Sequence, residues 1–190
     1  MPELVKEVAS TFDPQSNRPI KLWAEDEARF GRMNNPKKCW APAKIRPIIK
    51  LQRIREYLYV FAAVCPLTGE SYSLIFPACN TNAMQIFLEN FSQQYHEFNN
   101  IIIVDQAAWH TTQNLPPFEN IRFVYLPSGS PELNPVEHLW EHLREGYLGN
   151  RIYNSLDDVE NALVTVLQNI CNDAKTIKSL TGFYWLNFAH

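Results

Sequence analysis

The sequence predicts an α/β domain with a mixed central sheet flanked by helices. Strand-like alternation fills the first part of the chain, and a short, wholly apolar segment, IIIVD, lies in the middle. Helical spacing dominates the last third. With 190 residues, of which 46% are hydrophobic, the chain is long enough to bury a core. A meander of strands followed by helix–strand units predicts a mixed sheet.

The elements follow in order. Residues 1–19 predict a short helical tail and a linker rich in Pro, Ser and Asn, and residues 20–190 predict a single domain. Strand patterns occupy residues 21–31, 38–44, 56–66, 70–78, 101–105 and 122–127. Helical patterns occupy residues 80–98, a short stretch after Asp105, residues 130–148 and residues 155–176. Antiparallel strands followed by β-α-β units are the linear pattern of a ribonuclease-H-like fold.

The composition and the cysteine spacing indicate where in the cell the protein is located. No apolar run approaches the ~20 residues that a membrane helix needs, and the N-terminus lacks the pattern of a signal peptide. The cysteines lie far apart without C-x-x-C spacing, which indicates reduced thiols rather than a zinc site. They are Cys39, Cys65, Cys79 and Cys171. We therefore expect a cytoplasmic protein that does not contact a membrane.

The basic residues are segregated. The net charge is -3, yet residues 28–55 contain no acid and nine of the 17 Lys and Arg residues. Such a positive strip can bind nucleic-acid phosphates, although a solvated hairpin whose lysines protect a sheet edge fits equally well. The DNA-binding candidates in this strip are Arg32, Lys37, Lys38, Lys44 and Arg46.

Asp26 and Asp105 are candidate metal ligands. Strand alternation places Asp26 on the apolar face with Leu22, Ala24 and Phe30, where an unpaired charge is costly, unless the register is shifted by one. Asp105 ends a predicted central strand, where ligands gather in α/β sheets, although an aspartate there can also cap a helix.

Glu137 is the third candidate. It lies in the first turn of a predicted helix, where Asn134 and Pro135 are good start signals. The pattern also resembles a structural capping box. The apolar stripe of this helix runs through Leu133, Val136, Trp140, Leu143 and Tyr147, so Glu137 falls near the core boundary. Three carboxylates suit Mg²⁺ or Mn²⁺, and we expect two ions.

Three sequence blocks together resemble the mariner superfamily of DDE transposases, particularly its bacterial insertion-sequence branch. The blocks are AEDEARFGR, VDQAAWH and LPSGSPELNPVEHLWEHLRE, and the similarity covers about residues 20–188. The third block is the most specific. The resemblance implies a ribonuclease-H-like fold and a catalytic triad of Asp26, Asp105 and Glu137. It also matches His110 to a histidine that follows the second acid. We expect His110 to contact DNA phosphate or to tune the site, although a lone histidine is more often a hydrogen-bonded structural residue.

The resemblance further implies cleavage at transposon terminal repeats, strand transfer to a TA-containing target and a homodimer on DNA. Members of the superfamily carry a helix-turn-helix domain ahead of the core, which the 25 residues before Asp26 cannot hold. We therefore expect a separately encoded helix-turn-helix subunit or frame, or else a catalytically silent DNA-binding remnant.

Two other enzyme classes remain open. The first is a different ribonuclease-H-like nuclease, against which the third block argues. The second is a glycoside hydrolase with a pair of catalytic carboxylates, whose reaction does not require the basic segment. Among the large aromatic residues, Trp109 is expected to pack in the core, as are Trp40, Trp140 and Trp185.

Overall fold

The computed structural model describes residues 2–34, 36, 40–111 and 115–183 as a five-stranded mixed sheet with helices on both faces. The strands are β1 (Ile20–Met33), β2 (Arg53–Cys65), β3 (Glu70–Phe76), β4 (Asn99–Val104) and β5 (Ile121–Tyr125). The helices are α1 (Pro2–Ala9), α2 (Thr81–Gln94), α3 (Ala108–Thr111), α4 (Val136–His142), α5 (Leu156–Cys171) and α6 (Ala174–Thr181). A π-helical turn, Leu143–Tyr147, continues α4.

The strand order is β3-β2-β1-β4-β5. The first three strands form an antiparallel meander, whereas β4 and β5 add in parallel to β1 and to each other. Each parallel strand follows a connection that crosses a sheet face, because parallel neighbours cannot be joined by a tight turn. The central position of β1 leaves it covered on both faces.

Two apolar clusters cover the two faces of the sheet. The first face packs against α1, α4, α5 and α6 and includes Leu22, Ala24 and Trp140. The second face packs against α2 and includes Trp23, Phe61 and Phe87. Alternation along β1 sends neighbouring residues to opposite clusters, as a period of two requires. The predicted face of Leu22, Ala24, Ala28 and Phe30 is therefore confirmed.

The ribonuclease-H-like α/β architecture is confirmed, with local differences from the sequence prediction. Residues 40–44 form no strand, and Trp40 is fully exposed rather than part of the core. Strand β1 pairs directly with β2, so this segment is left as a loop between them. The predicted last helix is two helices, since Asn172 and Asp173 separate α5 from α6.

Other details match the prediction or lie outside the described residues. Trp140 is buried, and the stripe of α4 faces the first cluster as expected. Trp109 packs against the second cluster. Cys39 and Trp185 fall outside the described part of the chain. Within that part, the helices are all too short or too polar to cross a bilayer.

Candidate active site

The strand register brings Asp26 and Asp105 together. The parallel pairing of β1 with β4 places Ala24 opposite Ile103. Two residues further along each strand lie Asp26 and Asp105, so the two aspartates share a level and a face of the sheet. Strand β4 ends at Val104, whereas β1 continues to Met33. Asp105 therefore lies at the carboxyl end of a central strand, as predicted.

Helix α4 brings Glu137 to the same place. The side chain of Asn134 fixes the start of this helix: its Oδ1 accepts from the backbone N–H of Val136 at 3.2 Å. Its Nδ2 donates to the carbonyl oxygen of Glu25 in β1 at 3.0 Å. One buried amide thus ties the first turn of α4 to the strand that carries Asp26. Glu137, half-buried in that first turn, lines the same pocket as the two aspartates.

The three predicted acids line a single small pocket. Asp26, Asp105 and Glu137 surround a cavity of about 90 Å³ whose remaining wall is the 126–134 segment. Two strands and one helix therefore contribute one carboxylate each. This is the convergence that the sequence alone could not establish. The catalytic role of the three residues remains a prediction.

The electrostatics of the pocket suit a cation. Burial raises the pKa of Asp26 to about 7, and the negative charges of Glu137, Glu27 and Asp105 add to this effect. A hydrogen bond from Trp140 Nε1 to Asp26 Oδ2, at 2.7 Å, acts in the opposite direction. Because carboxylate repulsion makes the ionised form of Asp26 costly, a bound divalent ion would relieve it. An all-oxygen donor set fits Mg²⁺ or Mn²⁺.

A second carboxylate cluster lies on the opposite face of β1, where sequence reasoning did not expect a site. Glu25 and Glu27 project there and meet His110 of α3, which is 2% exposed. His110 Nε2 lies 3.1 Å from Glu27 Oε1 and 3.3 Å from Glu25 Oε2. Its Nδ1 lies 2.8 Å from Asp105 Oδ1. The alternation that placed Asp26 also placed these two glutamates, so the signal was present in the sequence.

The pKa values of this second cluster shift together. Burial raises the pKa of Glu25, and the charge of Glu27 adds to the rise. Burial opposes the charged form of His110, but its contacts with Glu25 and Glu27 raise the pKa of the imidazole well above its usual range. An imidazolium between the two carboxylates offsets their negative charge.

The predicted DNA-binding residues have different placements. His110 is buried and both ring nitrogens face carboxylates, which is at odds with a direct DNA contact. Arg32 pairs with Glu56 at 2.7 Å and donates to the Tyr153 carbonyl, so its guanidinium is engaged. Lys44 and Arg46 are exposed in the loop between β1 and β2. Lys37 and Lys38 lie outside the described residues.

Sequence reasoning also missed a cavity with a basic lining. It holds about 450 Å³ beside the second half of β1, between Phe30, Tyr57 and the 148–153 segment. Arg29, Arg144 and Arg151 line it. Arg29 stacks over Tyr57 and Arg144 over Phe30, with 4.4 and 5.3 Å from the guanidinium carbon to the ring centre. Arg144 and Arg151 lie far along the chain from the basic strip, so only the fold brings them to Arg29.

Comparisons with known proteins identify the family of this chain. A family model described as DDE superfamily endonuclease matches residues 21–160. The uncharacterized protein y4pE/y4sA of Sinorhizobium fredii is 41% identical over 104 residues, which cover 54% of this chain and 77% of that protein. The Tcb2 transposase of Caenorhabditis briggsae is 33% identical over 93 residues, covering 42% of this chain and 34% of the transposase.

The fold resembles that of the Mos1 transposase in its paired-end complex with the left transposon end. The TM-score is 0.61 at 16% sequence identity, over 96% of this chain and 61% of the Mos1 chain. The strand transfer complex of Mos1 gives a TM-score of 0.60 at 15% identity, with the same coverage. This chain thus spans about three fifths of the Mos1 chain and a third of Tcb2. The family model covers most of the chain, which therefore belongs to the DDE superfamily endonucleases.

Proposed function

We propose that this chain is the catalytic domain of a mariner-type DNA transposase. Its reaction would be hydrolysis of a phosphodiester at a transposon end, followed by attack of the freed 3′-hydroxyl on target DNA. The observation that carries the proposal is the single pocket formed by Asp26, Asp105 and Glu137. The family assignment supports the same chemistry. Membership of the bacterial insertion-sequence branch is part of the proposal.

Asp26, Asp105 and Glu137 are the proposed ligands of two divalent ions, Mg²⁺ or Mn²⁺. Such a pair of ions activates a nucleophilic oxygen and stabilises the leaving oxygen in phosphodiester chemistry. Trp140 holds one oxygen of Asp26 and so limits the orientations of that carboxylate. Asn134 holds the first turn of α4 against β1, which keeps Glu137 beside the two aspartates.

Basic groups outside the carboxylate pocket are the proposed contacts for the DNA backbone. Lys44 and Arg46 are exposed, and Arg29, Arg144 and Arg151 line the larger cavity. Guanidinium groups bind phosphates through paired hydrogen bonds, so the cavity suits a backbone segment. The proposed substrates are terminal inverted repeats and target DNA. A homodimer on DNA, a separately encoded helix-turn-helix subunit or frame, and association with the nucleoid complete the proposal.

Nicking of supercoiled plasmid DNA tests the proposal. The plasmid carries the genomic sequence that flanks the reading frame, and the reaction is run with Mn²⁺, with Mg²⁺ and with EDTA. We expect nicking only with a divalent ion, and its loss in Asp105→Ala. Glu97→Ala, which changes an exposed acid between α2 and β4, is the matched control.

The outcomes separate the two functional classes. Nicking by the unmodified chain that Asp105→Ala removes and Glu97→Ala retains supports the transposase assignment. DNA binding without nicking under all metal conditions favours the catalytically silent remnant. Nicking that survives Asp105→Ala places the activity outside this pocket and contradicts the proposal.

A further inference from the structure

His110 connects the pocket to the buried cluster on the other face of the sheet. Its short helix, α3, fills the space beyond the end of β4, where β1 continues without that neighbour. The ring therefore reaches Asp105 on one side and Glu25 and Glu27 on the other. The backbone fixes it further, because the His110 N–H donates to the Ala107 carbonyl at 3.0 Å.

The side-chain hydrogen bonds of Asp105 reach one of its two carboxylate oxygens. His110 Nδ1 and the backbone N–H of Ala107 both lie 2.8 Å from Asp105 Oδ1. Among the described residues, these side-chain hydrogen bonds of Asp105 all end on Oδ1. The other oxygen, Oδ2, accepts neither of these hydrogen bonds, and Asp105 lines the pocket together with Asp26 and Glu137. The two donors thereby set the rotation of the carboxylate about its last bond.

The far side of the ring is also held. Glu27 Oε1 accepts from Trp109 Nε1 at 2.6 Å and lies 3.1 Å from His110 Nε2. Glu25 is completely buried, and neither of its oxygens has a hydrogen-bond partner within the described part of the chain. Its Oε2 lies 3.3 Å from His110 Nε2, so the imidazole is the nearest group of opposite charge. Two buried carboxylates thus fix one end of the ring and Asp105 the other.

We propose that His110 is a positioning residue for the reaction: held by Glu25 and Glu27, it orients the Asp105 carboxylate toward the pocket. This inference rests on the proposed function, because it assigns Asp105 as a metal ligand. His110 would act through Asp105, because both of its ring nitrogens face protein carboxylates. Hydrogen-bonded partners of metal ligands affect metal affinity or activity by about 10- to 100-fold when they are removed.

Two amide substitutions separate the two ends of the ring. In His110→Asn, the amide nitrogen can occupy the position of Nδ1 and keep the donor to Asp105. In His110→Gln, the longer side chain places its amide near the position of Nε2, which keeps the contact with Glu27 and loses the contact with Asp105. The same changes at His96, an exposed residue that contacts the Gln93 carbonyl through Nδ1, are the matched controls.

Three quantities are measured for each variant: the nicking rate as a function of Mn²⁺ concentration, the Mn²⁺ affinity by calorimetry, and the melting temperature. We expect His110→Gln to lose about 10- to 100-fold in Mn²⁺ affinity or rate. His110→Asn should stay within several-fold of the unmodified chain, and the two melting temperatures should be similar. His96→Asn and His96→Gln should match the unmodified chain throughout.

Two results would overturn the inference. The first is equal loss in His110→Asn and His110→Gln, in proportion to their melting temperatures, which indicates a purely structural role. The second is a cation held by the cluster itself: one Zn²⁺ or Mn²⁺ bound by the Asp26→Asn/Glu137→Gln double variant and lost when Glu25→Gln is added. If the unmodified chain fails to nick DNA, the proposed function fails, and the Mn²⁺ affinities still decide the role of His110.

Discussion

The position of Asp26 disfavours the ionised form of its carboxylate. The apolar first cluster surrounds the strand that carries it, while Asp105 and Glu137 add negative charge nearby. A hydrogen bond from Trp140 offsets only part of this cost. The metal-free protein therefore carries a destabilised carboxylate at the position where a cation is proposed to bind.

The first prediction concerns the effect of Asp26 on the pH dependence of the free energy of unfolding. The pKa of Asp26 rises from 3.8 to about 7 on folding. Between these values the folded state binds the proton more tightly than the unfolded chain, so stability falls as the pH rises. Asp26→Asn removes this dependence. We compare the free energies of unfolding of the Asp26→Asn variant and the unmodified chain in EDTA. Their difference should shift in favour of the variant by about 1–4 kcal/mol as the pH rises from 4 to 7.

Urea unfolding at several pH values measures this difference. Asp13→Asn, at an exposed position in the N-terminal segment, is the control and should leave the pH dependence unchanged. A constant difference between the Asp26→Asn variant and the unmodified chain across this pH range would show that Asp26 is not destabilised in the folded state.

At the scale of elements, the position of α4 relative to β1 decides whether the third acid reaches the pocket. The connection is Asn134, whose amide accepts from the first backbone N–H of the helix, that of Val136, and donates to the backbone of β1. We predict that Asn134→Ala lowers the free energy of unfolding by about 1–3 kcal/mol, the range for a buried polar group left without its partner. The nicking rate should fall further than this loss of stability explains, because Glu137 is no longer held.

Asn120 provides the matched control. It is also a buried asparagine that joins two elements, since its Nδ2 donates to the Ser92 and Tyr95 carbonyls of the α2 region. Asn120→Ala should reduce stability by a similar amount and leave the nicking rate of the folded protein unchanged. Equal rates in the two variants would mean that Asn134 contributes to stability alone.

Sequence periodicity predicted most elements because each strand or helix buries its own face. Alternation along β1 sufficed to place Asp26 and Phe30 on the first face. The strand predicted at 38–44 was wrong over its described residues, 40–44, because β1 already pairs with β2 on one side and with β4 on the other. The register between β1 and β4 is a tertiary property. Motif spacing could thus suggest that Asp26 and Asp105 converge, whereas the pattern of either strand alone could not.

The cluster of Glu25, Glu27 and His110 shows a second limit of prediction from sequence patterns. Alternation does place Glu25 and Glu27 opposite Asp26, yet nothing local indicates that α3 will turn His110 back between them. That contact depends on where β4 ends, which by register is level with Glu25 and well before the end of β1. A buried histidine and an exposed one have the same sequence signature, so the sequence leaves both a DNA contact and a structural role open for His110.

At the scale of the whole molecule, the sheet separates two sets of acids that differ in access. The pocket on the first face is open to solvent, with the side chain of Asp105 half exposed. The cluster on the second face is closed, and His110 compensates its charge. The carboxylates of the open pocket repel one another, and a bound metal ion would neutralise this repulsion. We therefore expect metal binding to stabilise the entire domain.

That coupling gives the last prediction. A ligand that binds only the folded state stabilises it by about 2.7 kcal/mol at 100 times its dissociation constant, equivalent to roughly 5–10 °C in melting temperature for a chain of this size. Mn²⁺ or Mg²⁺ should raise the melting temperature of the unmodified chain by this order. The Asp26→Asn/Glu137→Gln variant should start higher in EDTA and gain little, because two of the three ligands and much of their repulsion are gone. Melting curves recorded across a metal titration test both parts, and an equal rise in the double variant would place the stabilising ion elsewhere.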